Sequence, residues 1–169
     1  VFVEEELNSF LSYWYSGYMQ GLASLDGEQQ EMLLAACGRA CAASYTAEQF
    51  SIAWQLSRCE MPLFLEELKR LFPEADFYFQ NDHEIGVVYT SCGCDLVKNG
   101  WVKTPLHCRC SVHNLKENFK AVLKQEVKAS LEESILAGDQ RCRFIVSWGL
   151  DLKFGLQNDL NQDLNCGTM

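Results

Sequence analysis

Six of the chain's nine cysteines fall into three close pairs: Cys37/Cys41, Cys92/Cys94 and Cys108/Cys110. Thiolates are soft ligands and nucleophiles, so the spacing of the pairs decides what chemistry is open to them. Cys37 and Cys41 stand four residues apart. On a helix that puts both sulfurs on one face, a turn apart. The two C-x-C pairs are tighter than the gap of about two to four residues usual in structural zinc sites. In an extended segment, residues two apart point the same way, and Gly93 lets the first pair bend closer. Thirteen residues lie between the C-x-C pairs, and their turn-like middle, VKNGW, allows the ends to meet. Closing such an excursion costs little entropy, because the cost grows only logarithmically with length.

The three pairs therefore offer soft ligands from Cys37, Cys41, Cys92, Cys94, Cys108 and Cys110 to one shared pocket. Zinc takes four ligands, a cubane iron–sulfur cluster also takes four, and a full set of thiolates can share two metals through bridging sulfur. A soft metal is the expected occupant, with zinc a candidate ahead of an iron–sulfur cluster, because gathered thiolates repel one another until a cation or protonation relieves them. Other uses of the pairs stay open: disulfides, dithiol–disulfide cycling in a redox sensor, or simple burial of small apolar side chains. Cys59, Cys142 and Cys166 have no close partner in sequence and read as buried thiols. Cys142 in particular alternates with Phe144 and Val146, which predicts a core thiol that binds no metal.

Near these pairs lie candidate ligand-binding residues. His107 precedes Cys108, and His113 falls in the first turn of a predicted helix; either imidazole can orient a thiolate or move a proton near neutral pH. A Cys beside a His is also what a nucleophilic hydrolase requires. Arg39, between the helical thiols, can lower their pKa or hold a carboxylate, and otherwise is an exposed helical arginine. His83 reads as a solvated turn residue.

The elements that must position these groups are legible from periodicity. Leu7, Phe10, Leu11, Trp14, Tyr18 and Leu22 recur at helical steps, and Leu33, Leu34, Cys37 and Cys41 mark one face of a second helix. Thr46 with Gln49 resembles a capping box opening a third helix that buries Phe50, Ala53 and Trp54. Pro62 suits the first turn of a fourth, and Pro73 its end. Then DFYFQ and EIGVVYT flank NDH as a hairpin. Ser111 is a candidate N-cap for a helix to about Lys124. EVKASLEESIL and RCRFIVSW form a last hairpin around residues 137–140. Leu156, Leu160 and Leu164 outline a narrow stripe in the tail. The expected fold is α+β: N-terminal helices packed on an antiparallel sheet built from two hairpins, with a helix between them. It occupies one domain over residues 1–150, with Leu7, Trp14, Phe50, Trp54, Phe119, Phe144 and Val146 in one core, followed by a polar tail over 151–169. A layered fold of this kind leaves room for a ligand between helices and sheet.

Bulk composition narrows the function. With 48 % hydrophobic and 22 % charged residues in 169, the chain is globular rather than disordered. A net charge of −9 and the lack of a basic stripe argue against nucleic acid. No apolar run is long enough for a membrane span. The start, VFVEEEL, carries no signal-type apolar run, and the chain has apolar residues enough not to need disulfide staples, so a reduced, cytoplasmic setting is expected. The partner expected on these grounds is a small molecule or a metal.

The segments CGRACA, CGCDLVKNG, CRCS and ESILAGDQRCRFIV resemble a cysteine-rich bacterial family similar to the four-vinyl-reductase-like domains and the L-2-amino-thiazoline-4-carboxylate hydrolase group. The likeness runs from Leu33 to Val146. Its most specific part is G-D-x-x-C-x-F-x-V, here Gly138, Asp139, Cys142, Phe144 and Val146. The resemblance implies an α+β small-molecule sensor with a pocket between helices and sheet, and in some members a structural zinc near the last hairpin. Residue 135 is Ile where such a sensor has a ligating Cys, which weakens a zinc anchored at Cys142. The hydrolase side of the resemblance implies opening of a small cyclic amidine-like substrate by a thiol or metal-bound water.

Overall fold

The computed structural model describes residues 4–149. Four helices come first: α1 (Glu4–Ala23), α2 (Gly27–Cys41), α3 (Ala47–Leu56) and α4 (Met61–Leu71). The hairpin β1 (Ala75–Asn81) and β2 (Glu84–Tyr89) follows, then a single turn, α5 (Asp95–Lys98), a 3-10 turn (Pro105–Cys108) and the helix α6 (Arg109–Leu123). The chain then forms β3 (Val127–Glu133) and β4 (Cys142–Trp148). The architecture is α+β, as expected from the sequence, with one antiparallel sheet in the order β1-β2-β4-β3. No helix is long and apolar enough to cross a membrane among the described residues.

Period-two patterning explains the sheet. Phe77, Val87, Phe144 and Val146 are buried on one face, with Phe77 paired to Val87, Val87 to Phe144 and Ile85 to Val146. Against that face lie Phe50 and Ala53 of α3, Phe64, Leu65 and Leu68 of α4, and Leu115, Phe119 and Val122 of α6. The main core thus combines residues on both sides of Pro73. On the outer face Tyr78 pairs with Gly86 and covers it, so a Cβ at Gly86 would lie 2.3 Å from the Tyr78 ring. A second apolar cluster joins Met19 and Leu22 of α1, Leu34 of α2, Val102 and Cys110.

Several local expectations are corrected. Leu7 and Trp14 are 44 % and 52 % exposed, not core residues, because α1 buries only Met19 and Leu22, near its C-terminal end. Trp54 is half-buried, packing against the edge of the core. The capping box at Thr46 does not form. The backbone stays helical from α2 through a π turn (Ala42–Thr46) into α3, and the Thr46 hydroxyl bonds Asn118 Oδ1 at 3.0 Å instead. A π turn inserts one extra residue per turn, which rotates α3 relative to α2 and turns Thr46 inward. Nor is Ser111 an N-cap: α6 starts at Arg109 and is fed directly by the 3-10 turn, which places Ser111 inside the helix. Its other end meets expectation, with Lys124 in the left-handed region at φ 54°. The tail stripe of Leu156, Leu160 and Leu164, like Cys166, lies outside the described residues.

Candidate functional site

Cys94 and Cys110 come together where α2 packs on α6, with Cys37 and Cys41 near enough to act on Cys110. The closest approach is at Gly38, where a Cβ would lie 2.4 Å from the Cys110 carbonyl oxygen and 2.5 Å from His113 Cβ. Only glycine lets the two backbones meet here, and that contact carries Cys37 and Cys41 to the level of Cys110. Beside it, Glu31 of α2 accepts hydrogen bonds from Arg109 and from His113 Nε2 (2.6 Å), clamping the two helices together. Burial raises the Glu31 pKa, but these two hydrogen bonds outweigh it and leave the carboxyl lowered.

His107 sits at the centre of the cluster. Its Nε2 lies 3.6 Å from Cys94 Sγ and 3.8 Å from Cys110 Sγ. The imidazole is buried, and its Nδ1 has no hydrogen-bond partner among the described residues. A buried polar atom left unpaired costs about 1–3 kcal/mol, so stability alone does not account for a histidine here. His107 and Cys110 are three residues apart across a helical start, which aligns them on one side. Cys94, at the N-cap of α5, reaches the same nitrogen from the other strand of the excursion. The Cys110 pKa is pushed up to about 12, first by burial and then by the nearby thiols of Cys94, Cys41 and Cys37. Burial, then Cys94 and Asp95, also raises Cys41. Cys37 is held by the Tyr18 hydroxyl at 3.6 Å, and this contact heads the causes that raise Tyr18 to about 12.

The second C-x-C pair does not act as a unit. The expectation of two sulfurs pointing one way assumed a strand, whereas Cys108 and Cys110 lie in helical backbone, where residues two apart diverge by about 200°. Cys110 turns to His107. Cys108 goes the other way, to the hydroxyl of Ser134 at 3.2 Å, and burial followed by the nearby Cys142 thiol raises its pKa against that hydrogen bond. Cys142 is buried and accepts from the Ile135 N–H at 3.5 Å, as a core thiol should. Cys92, half-buried, acts on both Cys94 and Cys108. Cys59 is half-buried at φ 61° and disulfide-bonded, not the buried free thiol expected. Arg39 is exposed, His113 is engaged with Glu31, and His83 is exposed.

Two features carry no signal in the sequence pattern. Gly38 belongs to no motif, and the H-x-x-C spacing of His107 and Cys110 has meaning only once the segment is helical rather than extended.

Chemically, the burial of Cys94 and His107 disfavours an activated nucleophile. Burial pushes the Cys94 thiol up, against a lowering by the Val97 and Leu96 N–H groups, and burial pushes His107 down. Both shifts favour neutral thiol and neutral imidazole over the thiolate–imidazolium pair a cysteine hydrolase needs. Neutral imidazole and clustered sulfur suit a soft cation better. No three His, Cys, Asp or Glu side chains are already grouped to hold a metal ion among the described residues.

A helical layer on a four-stranded antiparallel sheet, with thiols gathered at the helix–helix seam, defines the class of domain. No protein-family model and no curated protein sequence matches the chain. The solved structures that share the fold include two bound to small molecules. One is a trafficking protein particle complex subunit 3 from Naegleria fowleri, covalently bound to palmitic acid. It is 14 % identical with a TM-score of 0.53, over 85 % of this chain and 96 % of that one. The other is the phenol-responsive sensory domain of the transcription activator PoxR, with phenol. It is 11 % identical with a TM-score of 0.55, over 81 % of this chain and 73 % of that one. At such identity the likeness is one of fold.

Proposed function

We propose that this chain is a small-ligand-binding domain whose ligand is held at the cysteine cluster between α2, α6 and the 92–110 segment, and that a soft metal ion is the occupant its donor atoms favour. The observation that carries the reading is the convergence of Cys94 and Cys110 on one imidazole nitrogen, with Cys37 and Cys41 brought alongside by the Gly38 contact. The palmitate-bound trafficking subunit and the phenol-bound PoxR domain support it as folds of this kind that take small ligands. The resemblance to sensor domains of the four-vinyl-reductase type points in the same direction. Zinc suits the mixed sulfur and nitrogen donors better than a cubane cluster, which takes four thiolates.

The test is direct. Protein purified anaerobically, reduced and stripped with chelator is titrated with Cd²⁺, following sulfur-to-metal charge-transfer absorption, and with Zn²⁺ against a chromophoric chelator. Stoichiometric uptake that Cys110→Ala abolishes is the expected result. Uptake that is absent, or untouched by Cys110→Ala, overturns the reading.

A further inference from the structure

We infer that the outer face of α1 is a self-association surface, and that its occupant is a second copy of this chain whose α1 runs antiparallel to the first.

α1 carries two stripes. Tyr15, Tyr18, Met19 and Leu22 face inward and pack in the second apolar cluster. Leu7, Phe10, Trp14, Gly17 and Gly21 form the other, at alternating steps of three and four, the seam spacing of paired helices. All five are exposed, and so is every residue from Glu4 to Phe10. Most helical stability comes from burying a face, and this half of α1 buries none within the chain.

The two glycines sharpen the reading. Glycine inside a helix weakens it, and the domain itself gives no reason for glycine at either place: a Cβ at Gly17 or Gly21 meets nothing within 4 Å. A second helix laid close against the seam supplies the reason, because a missing side chain is what lets another backbone approach. The face is self-complementary in the antiparallel sense. Its bulky half is Leu7, Phe10 and Trp14, and its small half is Gly17 and Gly21. Inverting one copy about Trp14 sets Leu7 over Gly21 of the second copy and Phe10 beside Gly17 of the second copy. Such a two-fold pairing uses the same patch on both chains. Parallel pairing stacks bulk on bulk and brings the acidic first turns, Glu4, Glu5 and Glu6, side by side. In the antiparallel pair those turns lie at opposite ends of a helix about 30 Å long, well beyond the Debye length at physiological salt.

The area agrees. Phe10, Trp14 and the flanking Tyr13 are 53 %, 52 % and 80 % exposed. At about 150–250 Å² per aromatic side chain, their exposed parts come to about 300–450 Å². A homodimer interface of about 800 Å² per partner, about 65 % of it apolar, needs about 500 Å² of apolar surface, which these rings and Leu7 nearly supply. The Trp14 indole is stacked on Tyr18 at 5.7 Å, so this anchor is ordered before a partner arrives. A lipid surface fits the face less well, since α1 has three glutamates and no lysine or arginine.

Sedimentation equilibrium of the full chain over a concentration series tests this, with reductant present to exclude intermolecular disulfides. The mass of two chains at high concentration is the expected result. Trp14→Ser should weaken the dimer by at least ~30-fold, as loss of a central aromatic anchor does. Gly17→Leu should weaken it by at least ~10-fold through overpacking at the seam. Pairing joins domains already folded, so melts of dilute protein report each chain's own core. There Gly17→Leu should not lower the melting temperature, because the space around Gly17 is open. Leu56→Ser, at an exposed apolar position on α3, should leave association unchanged. With p-benzoylphenylalanine in place of Phe10 and a mixture of ¹⁴N and ¹⁵N chains, irradiation should link residue 10 of one copy to the stretch around Gly17 of the other. A monomer at every concentration overturns the proposal, as does a dimer indifferent to both Trp14→Ser and Gly17→Leu. A link from residue 10 to residue 10 of the other copy, or to residues 150–169 of its own chain, overturns it as well.

Discussion

Glu31 shows how one side chain ties sequence-distant elements at the site. Its carboxylate receives Arg109 and His113 from α6, next to the Gly38 contact. Because its pKa is lowered in the fold, its stabilisation is present above the ordinary value of 4.5 and is lost as pH falls through the folded value. The side chain is 48 % exposed, so solvent screening holds the contribution to about 1 kcal/mol or less. Glu31→Gln should therefore lower the melting temperature modestly at pH 7, and the gap from wild type should close as pH drops below 4.5. Melting curves over that range check it; a gap independent of pH would show that the carboxylate charge is not what the clamp uses.

At the scale of elements, the seam between α2 and α6 decides whether the thiols meet. Gly38→Ala pushes a methyl into the Cys110 carbonyl and His113, both of which are held by helix backbone. The helices must separate, which overpacking of this kind costs about 1–3 kcal/mol. The same change should weaken soft-metal uptake, because Cys37 and Cys41 retreat from Cys110. Gly27→Ala makes the comparison: a Cβ there meets nothing within 4 Å, so denaturant melts should show no loss of stability and unchanged metal uptake. If Gly38→Ala behaves like Gly27→Ala, the seam does not position the site. A buried polar chain supports the same seam, with Asn114 donating to Thr46, Thr46 to Asn118 Oδ1, and Asn118 to Asn114.

For the whole molecule, stability resides in the aromatic core. Phe50 stands among Phe64, Phe72, Phe77 and Phe119 at ring-centroid distances of 5.3–6.3 Å, drawn from α3, α4, β1 and α6. Phe50→Ala should cost about 3–5 kcal/mol in denaturant melts. Leu7→Ala, at a position of the same helical period but largely exposed, should stay within about 0.5 kcal/mol. Equal losses at the two positions would mean that α1 is covered and that the core is not centred on Phe50.

What the amino-acid sequence determined by itself is the material that depends on neighbours in the chain. Alternation of Cys142, Phe144 and Val146 specified a strand face, Pro62 a helix start, and NDH a hairpin turn, because period and turn chemistry act over a few residues. The pairing of Cys37 with Cys41 on one helix face belongs here too. Only the tertiary structure decided which apolar faces are covered: α1 carries the same periodicity as α2, yet Leu7 and Trp14 stay exposed, since period says nothing about what packs opposite. Only the tertiary structure split Cys108 from Cys110, because the local choice of helix over strand at residues 105–110 reversed their relative direction. And His107 became the centre of the thiol cluster through contacts thirteen residues upstream, at Cys94, and through α2, whose approach depends on one missing methyl at Gly38. Distances of that kind are set by how helices pack, and packing is a property of the assembled chain rather than of any stretch of it.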